Sequence, residues 1–266
     1  MARARSRIRD ALSRLESALR DLDSQLLRQM KSGVERTGAT VKRTEAGVEH
    51  ARAGVEQLHI RENTRDQNIE HQRILTWICP SEVDYTDQQI ALKSRRRRGI
   101  GEWFLGSDEF KTWIHGDHAT LLCSGMPGFG KTMITSFVVS NVLERYKSDT
   151  QVGVAYIYCQ FSRQEEQTTK YLKTSILRQL LSWRDVIPDN VRSLYNSSRG
   201  TDDLTPDEVS DLLNSILGLF KKSVLIIDAL DELPVSTHDE FVSQIFTLQR
   251  GFNINILATS RHAKMT

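Results

Sequence analysis

Eight consecutive residues, Gly125-Met-Pro-Gly-Phe-Gly-Lys131-Thr132, constrain this chain more than any other feature. They follow a short apolar run, Thr120–Ser124, and lead into a stretch with helical character, Lys131–Tyr146. Glycine at 125, 128 and 130 lets the backbone turn so that successive amide N–H groups converge on one point. The positive end of the following helix adds to that field, so the loop is built to receive phosphate oxygens. In such a loop Lys131 reaches the outer phosphates of a nucleoside triphosphate, and the Thr132 hydroxyl ligates magnesium. The plain alternative is a glycine-rich turn with a surface lysine. The strand before the loop and the helix after it argue against that reading.

From residue 102 onwards strands and helices alternate. Val152–Tyr158 is rich in β-branched and aromatic residues and predicts a buried strand. A helix is expected over Lys170–Ser182. Thr205-Pro-Asp-Glu208 is a capping box with proline at the first helical position, opening a helix to about Gly218. Ser223–Asp228 is the next strand, Thr237 is expected to cap a helix near Asp239–Gln249, and Ile254–Thr259 is the fourth strand. This order predicts a P-loop fold of the α/β class, a three-layer arrangement with a parallel sheet between helices.

Two further segments supply chemistry. Val224-Leu-Ile-Ile-Asp228 is an apolar strand ending in a carboxylate, which would hold magnesium directly or through water beside the loop. Asp231 and Glu232 follow at the distance expected of a group that orients or deprotonates an attacking water. Ile254-Asn-Ile-Leu-Ala-Thr-Ser-Arg261 delivers Arg261 to the carboxyl end of a strand, where ligands of open parallel sheets bind. There it would sense or stabilise the outer phosphate, or else be an ordinary surface arginine.

The first third has a different pattern. Ile8, Leu12, Leu15, Leu19, Leu22 and Leu26 alternate spacings of four and three, the stripe of a coiled-coil seam. The register then slips by one residue, after which Val34, Val41, Val48 and Val55 fall seven apart, with Thr37, Thr44, Ala51 and Leu58 as companions. Gly-Val-Glu recurs at Gly33, Gly47 and Gly54. This second seam is the weaker one, because interior glycine costs about 0.5–1 kcal/mol relative to alanine. The seam reads equally as an oligomerising coiled coil and as a helix folded back into an intramolecular bundle. Cys79-Pro80 marks a helix end, and a further helix is expected over Ser81–Ser94. Lys93–Arg98 then holds five basic residues in six, and Gly99 and Gly101 punctuate the junction. The expected organisation is a helical segment and basic linker over 1–98 and a nucleotide-binding domain over 99–266.

Charge separates along the same line. Residues 1–98 hold 20 Lys/Arg against 14 Asp/Glu, and the remainder holds 16 against 20. A nucleic-acid motor would carry its basic excess around the catalytic core, so nucleic acid is not the expected partner. Cys79, Cys123 and Cys159 fit no metal-ligand spacing and are expected as reduced thiols. No run approaches the roughly 18 apolar residues of a membrane helix. Met1–Arg9 is basic and acid-free, but Asp10, Glu16, Asp21 and Asp23 break the pattern of a presequence. An intracellular, cytoplasmic location is expected, with Arg95–Arg98 as a candidate nuclear-import signal. The plainer reading of that cluster is a solvated linker.

Taken as an ordered set, these motifs resemble the NACHT class of STAND NTPases, particularly fungal regulators with a nephrocystin-type P-loop domain. The resemblance runs from Gly101-Glu-Trp-Phe-Leu and Phe110-Lys-Thr-Trp113 through the phosphate loop and Asp228-Ala-Leu-Asp-Glu232 to Thr259-Ser-Arg261. Ile74-Leu-Thr-Trp77 and Asp84-Tyr85 are similar to the connector of such proteins. It implies that the loop binds ATP or GTP with Mg2+, and that nucleotide exchange converts a closed monomer into an oligomeric signalling state. By position, Gly125, Gly128, Gly130, Lys131 and Thr132 would hold phosphate, and Thr132 and Asp228 the metal. Asp231 or Glu232 would serve hydrolysis and Arg261 would be the sensor. The chain ends five residues after Arg261, which sets the expectation of an NTPase domain shortened before a fifth strand and helical lid, without ankyrin or similar repeats.

The function expected is a nucleotide-dependent switch with slow triphosphatase activity, working with protein partners through the N-terminal helices or as a homo-oligomer. The rival, from another class, is a coiled-coil scaffold or decoy whose loop binds nucleotide without turnover. A small-molecule kinase is a weaker third reading, since neither a lid nor an acceptor pocket is legible.

Overall fold

A computed structural model describes residues 2–79, 85–96, 99, 101–198, 200 and 202–261, and the chain forms two compact units, Met1–Gln67 and Asn68–Thr266. In the first unit the chain is one helix, the larger part of α1 (Ala2–Ile78). Its seam is open: Leu15, Leu19, Leu22 and Leu26 are 54–63% exposed, and Val34, Val41, Val48 and Val55 are 50–71% exposed. The helix does not fold back on itself, so the intramolecular bundle is not what the structure holds.

The second unit starts earlier than the composition break at Arg98 suggests. Ile74, Leu75 and Ile78 at the end of α1, and Tyr85 of α2 (Tyr85–Arg95), are buried in its core. Gln89 of α2 is buried and donates to the Ser136 carbonyl and the Ser140 hydroxyl, while it accepts from the Tyr158 hydroxyl. Ser81–Asp84, the expected start of this helix, lie outside the described residues, as do Arg97 and Arg98. Arg96 lies 4.8 Å over the Phe137 ring, so this member of the basic cluster is docked on the protein.

Four strands form the sheet: β1 (Thr120–Ser124), β2 (Val152–Tyr158), β3 (Lys222–Asp228) and β4 (Ile254–Ser260). All pairings are parallel and the order is β1-β4-β3-β2. The chain passes from β1 to the far edge and steps back, so β4 inserts beside β1. Helices α5 (Lys131–Tyr146) and α2 pack together on one face. On the other lie α6 (Thr169–Ser182), α8 (Pro206–Leu217) and α9 (Val235–Gly251). This is the expected three-layer α/β architecture of P-loop NTPases.

The register places the site. Ser124 pairs with Ser260, Ile227 with Ala258, and Tyr158 with Asp228. The carboxyl ends of β1, β4 and β3 therefore finish level, and the segments that follow them meet. The free edge of β2 is closed by side chains. Gln179 accepts from the Tyr156 amide at 3.0 Å and donates to its carbonyl at 2.8 Å, and the Trp183 indole donates to Val154.

The capping box at Thr205 and Glu208 is formed in both directions. α9 differs from expectation: it starts at Val235 behind Pro234, whose φ of −56° suits a helix entrance, and Thr237 lies inside the first turn. The short helices α3 (Glu102–Gly106), α4 (Asp108–His115) and α7 (Asp189–Ser197) had no legible period, being only two turns or so long. α4 buries Phe110, Trp113 and Ile114, and Ser107 caps it by accepting from the Phe110 amide.

Candidate functional site

The loop after β1 is tied down at its first residue, where the Gly125 amide donates to the Ser260 carbonyl at 3.2 Å. Gly128 and Gly130 have φ of +83° and +80°, a region that side-chain-bearing residues avoid, and this is why both are glycine. The Lys131 ammonium donates to the carbonyls of Gly125 and Met126, the latter at 3.1 Å, so it spans the loop from the first turn of α5. Thr132 follows it.

Asp228, at the end of β3, is 2% exposed. Its Oδ1 accepts from the Thr135 hydroxyl at 2.8 Å and from the Thr259 hydroxyl at 2.7 Å. Thr259 in turn accepts from the Ala229 amide at 2.8 Å. Thr135 was missed at the sequence level. Its signal was its place four residues after Lys131, which on a helix is the next turn of the same face.

Ala229 then adopts φ of +52°, an unusual conformation for a residue with a Cβ. The 3-10 turn Leu230–Glu232 follows and reverses the chain toward the end of β4. There the Arg261 amide donates to Asp231 Oδ1 at 2.9 Å and the guanidinium Nε donates to Oδ2. The Arg261 guanidinium also lies 3.8 Å from Glu232 Oε1. Glu232 Oε2 accepts from the Phe161 amide at 3.0 Å, and Gln164 donates to the Glu232 carbonyl at 2.7 Å. Arg261 therefore faces the two acids rather than the glycine loop.

Burial by itself would push the Asp231 carboxyl up, but the hydrogen bonds and charge of Arg261 bring it below the usual Asp value. The same pairing raises the guanidinium of Arg261. Cys159, beside these acids, is pushed well up by burial and then by the charges of Asp228, Glu232 and Asp231. Both effects disfavour the thiolate, the form in which a cysteine is nucleophilic. None of the three cysteines forms a disulfide.

A cleft of about 310 Å³ joins Lys131 and Thr132 of the loop to Asp231, Glu232, Thr259 and Arg261. Asp228 is not in its wall but lies beneath Thr259, so it reaches the cleft through an intervening group. Magnesium usually keeps several waters and takes phosphate oxygens with one or two protein oxygens. Thr132 in the wall, with the Asp228 carboxylate beneath Thr259, fits such an ion. Among the described residues no cluster of His, Cys, Asp or Glu would hold a metal by protein ligands alone. None of the described helices is long and apolar enough to cross a membrane.

A glycine loop between a parallel strand and a helix, with an acid-ended strand two places away in the sheet, defines a P-loop NTPase fold with a nucleotide-type cleft. Residues 99–261 match the family model described as Nephrocystin 3, N-terminal, and the chain belongs to that family. Among curated proteins none matches significantly. Similar solved structures include Cdc6p from Pyrobaculum aerophilum, with 18% identity and a TM-score of 0.38 over 71% of this chain and 43% of its own. The Orc1 protein of Aeropyrum pernix, solved in complex with DNA, has 15% identity and a TM-score of 0.36 over 71% and 43%. The Walker-type ATPase PABY2304 of Pyrococcus abyssi has 15% and 0.38 over 62% and 47%. The chain spans less than half the length of each of these proteins.

Proposed function

We propose that this chain is a nucleotide-dependent switch that binds ATP or GTP with magnesium and hydrolyses it slowly, after the manner of the fungal NACHT-class regulators it resembles. The observation that carries the proposal is one cleft walled by the glycine loop, Lys131 and Thr132 on one side and by Asp231, Glu232 and Arg261 on the other. In this reading the loop amides and Lys131 bind the phosphates. Thr132, together with Asp228 beneath Thr259, would hold magnesium, which neutralises charge on the phosphate oxygens when bound. Thr135 and Thr259 orient Asp228. Asp231 or Glu232 accepts the proton of the attacking water.

Arg261 has two candidate partners, the outer phosphate and the acids. While it holds both oxygens of Asp231, that carboxylate is poorly placed to act as a base, and slow turnover follows. The signalling output, through protein partners of the N-terminal helices or by assembly in the full-length protein with ankyrin or similar repeats, belongs to the same proposal. A calorimetric titration with ATP, ADP and GTP tests it, with Lys131→Ala as control. Equal affinity in wild type and control would sink it.

The engagement of Asp231 by Arg261 favours a second reading, in which nucleotide is bound and never turned over. Measuring ADP release alongside binding separates the two: stoichiometric binding with no release over hours leaves the scaffold reading.

A further inference from the structure

The nucleotide cleft leaves one large feature of the chain unexplained, the apolar stripe of α1. We infer that α1 pairs with α1 of a second copy as a parallel, in-register, two-stranded coiled coil. This goes beyond the nucleotide reading and does not depend on it.

The stripe has a period of 3.5 residues, seen in Leu12, Leu15, Leu19, Leu22 and Leu26. A straight helix turns every 3.6 residues, so a sustained 3.5 period stays on one face only if the helix winds around a partner. After Leu26 the chain skips one position, and Leu27, Met30 and Val34 resume the same spacing, continued by Val41, Val48 and Val55. Leu27 and Met30 are 67% and 62% exposed, like the rest of the stripe, so among the described residues none covers it. Among the described residues no other helix exposes a matching row, which leaves the stripe as its own complement.

Area supports a stable pair. Burying a Val, Leu or Met side chain hides roughly 60–120 Å² at the usual energy per unit area. The ten exposed side chains from Leu15 to Val55 would hide on the order of 900 Å² per copy, or about 1,800 Å² in the pair. Stable interfaces bury about 1,200–2,000 Å².

The residues also select strand number and direction. Val34, Val41, Val48 and Val55 occupy the position at which β-branched side chains favour two strands. The skip at Leu26–Leu27 lies toward one end of the stripe. Parallel, in-register pairing sets that skip against itself, whereas antiparallel pairing sets it against an unbroken repeat. In the parallel pair Asp23 flanks Ala18 of the other copy and Arg52 flanks Gly47, so no like charges meet there. Pairing also explains how the helix persists with interior glycines. A Cβ added at Gly33, Gly38, Gly47 or Gly54 would meet nothing within 4 Å beyond the helix itself, so among the described residues no other element packs on the helix there.

Sedimentation equilibrium of the full chain at low micromolar concentration should give a dimer. Leu15→Glu with Leu22→Glu should raise the dimer dissociation constant at least about 10-fold, the effect of placing charge at two seam positions. The near-ultraviolet circular dichroism of the tryptophans, all four in the second unit, should be unchanged in that variant, which verifies that this unit is folded. Leu22→Cys should form a chain-to-chain disulfide under mild oxidation that wild type does not, since Cys79 and Cys159 are buried and Cys123 is half-buried within β1. A monomeric wild type would assign the stripe to a different protein and overturn the proposal. A dimer that survives both glutamates would place the interface elsewhere and overturn it too. A dimer without the Leu22→Cys cross-link would be antiparallel, contrary to the register argued above.

Discussion

The hydroxyl of Thr135 lies 2.8 Å from Oδ1 of Asp228, joining the second turn of the phosphate-loop helix to the end of the acid-bearing strand beneath the cleft. Thr259 reaches the same oxygen from the neighbouring strand at 2.7 Å. Both threonines are 1% exposed, so each hydroxyl is committed to a partner inside the protein. A buried carboxylate without such donors would be costly to keep charged.

If these hydroxyls orient Asp228 toward a metal, Thr135→Val should weaken the magnesium-dependent part of nucleotide affinity about 10-fold, the lower end for an outer-shell partner of a ligand. Stability should fall by about 1–3 kcal/mol for the lost bond to a buried charge. Thr135→Ser should restore affinity for magnesium-nucleotide. Titrations with and without magnesium check this, and an unchanged magnesium increment in the valine variant refutes it.

Lys131→Ala should abolish triphosphate binding while leaving the circular dichroism spectrum nearly unchanged. The ammonium contacts only loop carbonyls among the bonds described for it, and its stem is not part of the core. Binding measured by fluorescence-labelled nucleotide, with the spectrum as a control for folding, decides the matter.

Glu232→Gln, or Asp231→Asn if that residue is the base, should leave magnesium–nucleotide affinity nearly intact and slow hydrolysis strongly, because water activation matters chiefly in the transition state. Asp228→Ala should instead weaken magnesium-dependent binding itself. Single-turnover kinetics beside equilibrium titration separates the two classes. A wild type that turns over at about 10 per second as a dilute monomer, an ordinary enzyme rate, would contradict the switch.

Acid should release the Arg261–Asp231 pair. The Asp231 carboxyl sits below its ordinary value of 3.8, so the pair stabilises the fold at neutral pH and is lost as pH falls through that lowered value. Asp231→Asn removes this contribution. Wild type should therefore exceed the variant in urea midpoint at pH 7, and the difference should shrink below about pH 4. A difference that grows on acidification would contradict the pairing.

Ala229→Gly should raise stability by about 0.5–1 kcal/mol, because the left-handed conformation costs alanine about 1–2 kcal/mol and glycine returns part of that as unfolded-state entropy. Chemical unfolding checks it, and a destabilised variant would show that the alanine methyl has a packing role.

Much of the second unit is legible in the sequence. β1, β2 and α5 have the residue bounds that their composition predicts, and β3 and β4 differ by a residue at one end. Buried strands announce themselves through β-branched runs, and the glycine loop through backbone conformations that only glycine adopts readily. The helical character of the first third was equally plain from its 3.5-residue period. Short helices such as α3, α4 and α7 were not, because two turns carry too few positions to establish a period.

Local sequence thus determined which segments are strands, which are helices and which loop receives phosphate, since those choices rest on backbone conformation and on spacing along the chain. Only the tertiary structure decided that β4 inserts between β1 and β3, and hence that Thr259 and Arg261 arrive beside Asp228 and Asp231. Strand order depends on pairings between residues far apart in the chain, which no local spacing records. The same holds for Gln89, whose place at the junction of α2, α5 and β2 rests on contacts 47–69 residues away in sequence. The partner of Arg261 was decided there too. An arginine at a strand end is compatible with phosphate, carboxylate or water, and only the fold, by turning the chain at Ala229, sets Asp231 against it.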